Sequence, residues 1–370
     1  IIGLSFTDDV PDTLYEKCLK YFTLLTCSSL LFLMLLGEYA YIISQMSKSA
    51  SIEDFIGSYL HIAGYDTLSF AKLITIWYKR NTFKLLVVEL ADIWPLYLPD
   101  EKAVLIKRES LLALKKSQIL YTFWNVFGVW FYNLTPIALL VYYKLKGVES
   151  QLGYVWQLSY PFDKTKPIYH EAVYIFETLS GVISVCCMLG SDLLFMTMAS
   201  HMSMLLRLLQ VKIRHLVAID EERHVFEPMS YDCYSDIVNT VLLHQRLITY
   251  INNLEDAFSL VNLINVLLSS VNICCVMFAI FLDPWLEMSN KFYLGAVLTQ
   301  MGIVCWYADD IHRASVGVAD AAFLIILQRF SFYYNDYLQL GMFLKKNVFF
   351  QILTTAYSYF TLLYSSYRRG

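Results

Sequence analysis

Seven stretches of this chain are predominantly apolar; five are close in length to the ~17–25 residues that a helix needs to cross a bilayer, while the fourth is longer and interrupted by Asp192 and His201 and the fifth is uncharged only over 257–282. They run approximately over 21–44, 55–78, 118–143, 170–206, 238–282, 292–308 and 347–367. Inside lipid only helices or closed barrels satisfy every backbone N–H and C=O, and runs this long argue helices. The fold class expected is therefore all-α: one seven-transmembrane helical unit covering residues 1–370. Composition agrees with that reading. Only 16% of residues are charged, against roughly 25% in soluble domains. The mean hydropathy is +0.49. A net charge of −4 without a dense basic run gives no footing for nucleic acid.

Lysine and arginine set the expected orientation, because cytoplasmic loops hold the excess. The first loop, Gln45–Asp54, holds only Lys48, and the fifth, Asp283–Lys291, only Lys291. The second, Lys79–Ser117, holds eight, among them Lys79, Arg80, Lys107, Arg108, Lys115 and Lys116. The even-numbered loops are richer, so the N-terminus is expected in the cytoplasm and the C-terminus outside. This is the reverse of a G-protein-coupled receptor, and none of the eight prolines follows an Asn to offer Asn-Pro-x-x-Tyr.

Two connections carry apolar residues at helical spacing among basic ones: Glu101–Leu120 and Leu205–Ile219. The fourth and fifth segments are expected to continue into the cytoplasm. Anchor helices over about 205–245 and 314–330 could meet there as an intracellular bundle. Membrane-surface helices are the competing reading.

The seventh segment is uncharged yet rich in Thr, Ser, Gln and Tyr. Hydroxyls suit a helix lining a wet path, where they replace water around an ion; helices in membranes also use them to hold one another. Asp66, Glu177, Asp192, Asp256 and Asp309 lie in or near apolar segments, where each must be paired or in contact with water. No catalytic or phosphate-binding motif occurs, so no enzyme activity is expected. The eight cysteines lie mostly in apolar runs without metal-ligand spacing, and neither a metal site nor a cofactor is expected. Asn133-Leu-Thr135 is a glycosylation sequon placed where the membrane would bury it.

Four features resemble the insect odorant receptor family: the inverted topology, Tyr160-Pro-Phe-Asp163 before the fourth segment, Ser191-Asp-Leu-Leu-Phe195 with His201 following, and Thr354-Thr-Ala-Tyr-Ser-Tyr-Phe-Thr-Leu-Leu363. The resemblance implies an odorant-gated, non-selective cation channel subunit in the plasma membrane of olfactory sensory neuron dendrites. It would form a heterotetramer with the family's co-receptor around a pore lined by the seventh segment. The short connection at 207–237 departs from the co-receptor, which carries a long insertion there, and points to a ligand-specific tuning subunit. Gustatory relatives carry a Gln-Phe pair where this chain has Ser365-Ser366. A self-sufficient gustatory-type channel and a secondary transporter of a small organic molecule are the alternatives.

By the same resemblance Leu362 is the gate candidate, with Ser358, Thr361 and Ser365 on the pore; apolar rings close narrow pores by dewetting. The odorant, a small volatile of apolar or aromatic character, would bind in the outer halves of four segments. Candidates are Tyr59, Ile62 and Tyr65 on the second; Phe127, Trp130, Phe131 and Leu134 on the third; Tyr174, Thr178 and Ile183 on the fourth; Leu298 and Met301 on the sixth.

Overall fold

The structure is a computed structural model that describes residues 14–47, 60–96, 98, 100–222, 231–282 and 288–329. The described residues form seven α-helices: α1 (Leu14–Ser47), α2 (Leu60–Tyr78), α3 (Arg80–Ile93), α4 (Glu101–Leu145), α5 (Pro167–Glu222), α6 (Tyr231–Leu282) and α7 (Met288–Arg329). Six of the expected segments fall on α1, α2, α4, α5, α6 and α7. The seventh, 347–367, lies outside the described residues, as do 55–59 of the second.

Local chemistry explains where these helices begin and end. Asp100 caps α4, its carboxylate accepting from the Lys102 N–H at 2.9 Å. At the other end Gly147 follows the cap with φ +74°, the left-handed conformation that glycine adopts at helix C-termini. Proline opens α5, where a missing N–H and a fixed φ do no harm.

Among the described residues, four helices are long and apolar enough to cross a membrane: those at Leu14–Met46, Glu101–Leu145, Ile168–Leu216 and Ser235–Phe281. The other two expected spans are helical but more charged, α2 with Asp66 and Lys72 and α7 with Asp309, Asp310 and Arg313. The helices outrun the bilayer. With 56 residues, α5 is roughly 84 Å long at about 1.5 Å per residue, against about 30 Å of hydrocarbon.

Helix α5 is the hub, packed against α1, α2, α4, α6 and α7. Its core face is rich in methionine: Met188, Met196, Met198, Met202 and Met204 are fully buried. This flexible thioether side chain fills irregular gaps between several neighbours. Farther along α5, Leu205, Leu209 and Ile213 share one core cluster with Leu247, Tyr250 and Leu254 of α6 and Ile311, Ala314 and Val318 of α7. Ser203 bonds the Asp310 carboxylate at 2.6 Å, Arg207 pairs with the same group, and Gln210 donates to the Ala314 carbonyl at 2.8 Å. Within the expected anchor stretches, the described residues 205–222, 231–245 and 314–329 each belong to a long helix. Helix α3 has no counterpart in the sequence reading. It rests Phe83, Leu86 and Leu90 on the molecule, and Phe83 meets Phe258 of α6 edge-on with centroids 5.0 Å apart.

Candidate functional site

A cavity of about 50 Å³ opens between α2, α4, α5 and α7. Ile62, Tyr65 and Asp66 line it from α2, and Trp124, Asn125, Gly128, Val129 and Tyr132 from α4. Gly181, Ser184 and Val185 contribute from α5, Tyr293 and Ala296 from α7, and Trp156 from the α4–α5 connection.

Two glycines make room for the indole walls. A Cβ at Gly181 would sit 3.1 Å from the Trp156 ring, and one at Gly295 would sit 2.9 Å from the Trp124 ring. Trp156 is also held by hydrogen bonds. Its backbone N–H donates to the Glu177 carboxylate at 3.0 Å and its indole N–H to the Glu177 carbonyl, also at 3.0 Å. The Val155 N–H at 2.8 Å and the Tyr160 hydroxyl at 2.9 Å complete the set around this buried carboxylate. Glu177 therefore folds the connection over the helix ends, with Tyr160 of the Tyr-Pro-Phe-Asp motif as one of its ties. Burial and the negative charge of Glu177 push the Tyr160 phenol above its ordinary range, so it stays a proton donor.

Beneath the cavity lies a buried polar network that joins five helices. Tyr65 donates to Asn125 at 3.1 Å, and Asn125 donates to the Tyr121 carbonyl at 2.9 Å. The Tyr121 hydroxyl bonds Asp192 at 2.6 Å. Asp192 also pairs with the fully buried Lys72 at 2.6 Å and accepts from Gln300 at 2.8 Å. Gln300 reaches Asn265 of α6 at 3.1 Å. An ammonium or carboxylate alone in such a place would be prohibitive, so the motif around Asp192 is explained by pairing. Asp66 and Asp309 among the other acids singled out from sequence also have partners, while at Asp256 the contact is to the backbone. Ser184 donates to Asp66, Asp309 pairs with Arg313 at 3.2 Å, and the backbone carbonyl of Asp256 accepts from Lys79.

Of the residues expected at the ligand, Ile62 and Tyr65 line the cavity. Tyr59 lies outside the described residues, as do Ser358, Thr361, Leu362 and Ser365. The α4 candidates lie on a different face: Phe127, Trp130 and Leu134 are about half exposed, and Phe131 is half-buried. Phe127 and Phe131 stack against Phe292 instead, at 5.3 and 4.9 Å. The cavity takes the neighbouring stripe, about 100° round the helix. The sequence reading ranked stripes by aromatic content, and the cavity lies on the other one. In lipid the outward face is as apolar as the inward one, and the signal for the inner face was Asn125 and Gly128.

On α5, Tyr174 donates to the Asn133 carbonyl, and Ile183 packs on Leu31, Leu73 and Cys187, away from the cavity. The Thr178 hydroxyl is buried. Leu298 and Met301 sit in the α6–α7 contact with Ile273 and Val297. Asn133 is 1% exposed, which closes its sequon to glycosylation.

The family model described as 7tm Odorant receptor matches residues 53–355. The chain belongs to the 7tm odorant receptor family. It is a family of receptors, not of enzymes. The receptor is 23% identical over 329 residues to Odorant receptor 85c of Drosophila melanogaster, covering 83% of this chain and 82% of that protein. It is 23% identical over 273 residues to Odorant receptor 85b of the same fly, covering 71% and 66%. Its fold matches the insect olfactory receptor OR5 of Machilis hrabei with a TM-score of 0.75 at 14% identity, over 98% of this chain and 94% of that one. The same receptor in complex with eugenol gives 0.74 at 14% identity, over 99% and 94%.

Proposed function

We propose that this receptor is an odorant-gated, non-selective cation channel subunit of the plasma membrane. The observation that carries the reading is the cavity. It is walled by five aromatic rings, floored by hydrogen-bonded polar groups and roofed by a tied-down connection, the general form of a small-molecule site. Family membership and a fold shared with a receptor seen with eugenol support it. The lysine and arginine distribution supports a cavity in the outer half of the membrane and an α5–α6–α7 bundle in the cytoplasm.

The size of the cavity bears on mechanism. Benzene fills an apolar cavity of about 150 Å³, three times what stands open here. A volatile therefore enters only as the walls part. Parting α4 from α7, or α5 from α2, is the differential interaction that a ligand needs in order to shift a closed–open equilibrium. The pore belongs to the seventh segment, with Leu362 as its apolar gate and Ser358, Thr361 and Ser365 on its wet face. Co-receptor chains complete the heterotetramer, in the dendrites of olfactory neurons.

Whole-cell current under a panel of volatiles tests this, with the receptor expressed alone and with the co-receptor. A reversible cation current only in co-expressing cells is the expected result. Current from this chain alone would make it a self-sufficient channel. Ligand accumulation without current would make it a transporter.

A further inference from the structure

Two carboxylates meet at the edge of the cavity without a cation. Asp66 lines it and is 3% exposed; Glu38 of α1 is 4% exposed and lies beside Asp66. Ser184 donates to Asp66. Both Glu38 oxygens are buried, with no hydrogen bond to any other group among the described residues. Lys72, one helical turn and a half along α2, is engaged by Asp192. No Lys or Arg among the described residues pairs with Asp66 or Glu38. Buried carboxylates in this arrangement either share a proton or await a positive charge.

The rest of the lining favours the positive charge. Tyr65, Trp124, Tyr132, Trp156 and Tyr293 surround the cavity with rings, and ring faces attract cations through their quadrupoles. Four of the donors that a carbonyl or ether oxygen would seek are already engaged. Tyr65 donates to Asn125, Tyr132 to Asn290, Ser184 to Asp66 and the Trp156 indole to Glu177. Acceptor oxygen and π surface are the main chemistry left open.

We propose that the cavity selects a protonated amine, its ammonium seated against Asp66 and enclosed by the aromatic walls, with Glu38 supplying the second negative charge behind it. The proposal rests on the cavity being the ligand site of the channel.

The test uses pairs of volatiles that share a skeleton, cyclohexylamine with cyclohexanol and isopentylamine with isopentanol, on cells co-expressing receptor and co-receptor. The amine of each pair is expected to be at least tenfold more potent than its alcohol. Asp66→Asn should lower the amine-to-alcohol potency ratio at least tenfold, and Trp124→Leu, which keeps an apolar wall, should lower it several-fold. Surface labelling checks that each variant reaches the membrane. If Asp66→Asn does not, Glu38→Gln replaces it with the same expectation.

Alcohol currents with an amine response no stronger, or a ratio unmoved by these variants, would overturn the amine site while leaving the channel reading intact. If no volatile evokes current, thermal stabilisation of the purified receptor by cyclohexylamine hydrochloride decides the proposal separately. Stabilisation that Asp66→Asn abolishes supports it, and no stabilisation overturns it.

Discussion

Removing the charge of Asp192 should damage this receptor more than removing the charge of Lys72, although the two form one ion pair. In Asp192→Asn the fully buried Lys72 ammonium keeps only the Met188 thioether at 3.0 Å and a neutral amide. A thioether is a weak acceptor, and stranding a buried charge by deleting its partner costs about 3–5 kcal/mol. That is at least ~100-fold in the ratio of folded to unfolded protein. In Lys72→Met the carboxylate keeps two donors, Tyr121 at 2.6 Å and Gln300 at 2.8 Å. Hydrogen bonds to charged groups contribute about 1.5–3 kcal/mol each, so the loss should be about half as large. The double variant Lys72→Met/Asp192→Asn holds no stranded charge and should be more stable than Asp192→Asn alone. The coupling should be at least ~2 kcal/mol, within the range seen for contacting residues. Equilibrium unfolding of the purified receptor in mixed micelles, read by intrinsic fluorescence, measures all four proteins. Additive losses, or Lys72→Met as the more damaging single change, would refute the assignment of the network as a charge-balanced unit.

Gly295→Ala should drive the Trp124 ring into the cavity, because the new methyl would lie 2.9 Å from it; dose–response curves across a homologous series should lose the largest agonists first. Trp130→Ala should leave agonist potency within about threefold of wild type, since this half-exposed ring points off the cavity. Trp124→Ala should shift potency tenfold or more, and equal effects of the two tryptophans would contradict the geometry of α4. Leu362→Ala should raise the ligand-free leak current if Leu362 is the gate, and unchanged leak and gating would remove it from that role.

Helix existence was legible because runs of twenty apolar residues leave the backbone no other way to satisfy itself in lipid. Continuity was not. Residues 292–308 and 314–330 read as separate pieces because Asp309, Asp310 and Arg313 interrupt the apolar run. In the structure these charges sit on an unbroken α7, with Asp310 turned to Ser203 and Arg207 of α5. Helix α3 escaped notice because Phe83, Leu86 and Leu90 make a stripe of three among Lys84, Glu89 and Asp92. Of the residues the sequence singled out, Ile62 and Tyr65 line the cavity, which opens between helices of the expected second, third, fourth and sixth segments. The α4 face of the cavity was not legible, because hydrophobicity does not distinguish lipid from protein as a neighbour. The polar positions were the better guide. Asp66, Glu177 and Asp192 each mark a place where several elements converge.

The same two helices that wall the cavity on one side also close the bundle at the other end. Along α5, Ser184 and Arg207 are separated by about 35 Å at ~1.5 Å per residue, and along α7, Ala296 and Asp310 by about 21 Å. Neither helix contains a proline between these points, so each can pivot as a rod. The Asp192 network lies between the two ends and ties α5 and α7 to α2, α4 and α6. On the proposed channel reading it would act as the fulcrum. A ligand that parts α5 or α7 from α2 at the cavity would tilt both rods about a fixed, charge-balanced point and load the Arg207–Asp310 pair at the far end. Weakening the fulcrum should therefore uncouple ligand binding from gating before it abolishes binding, whereas loss at the cavity should abolish both together.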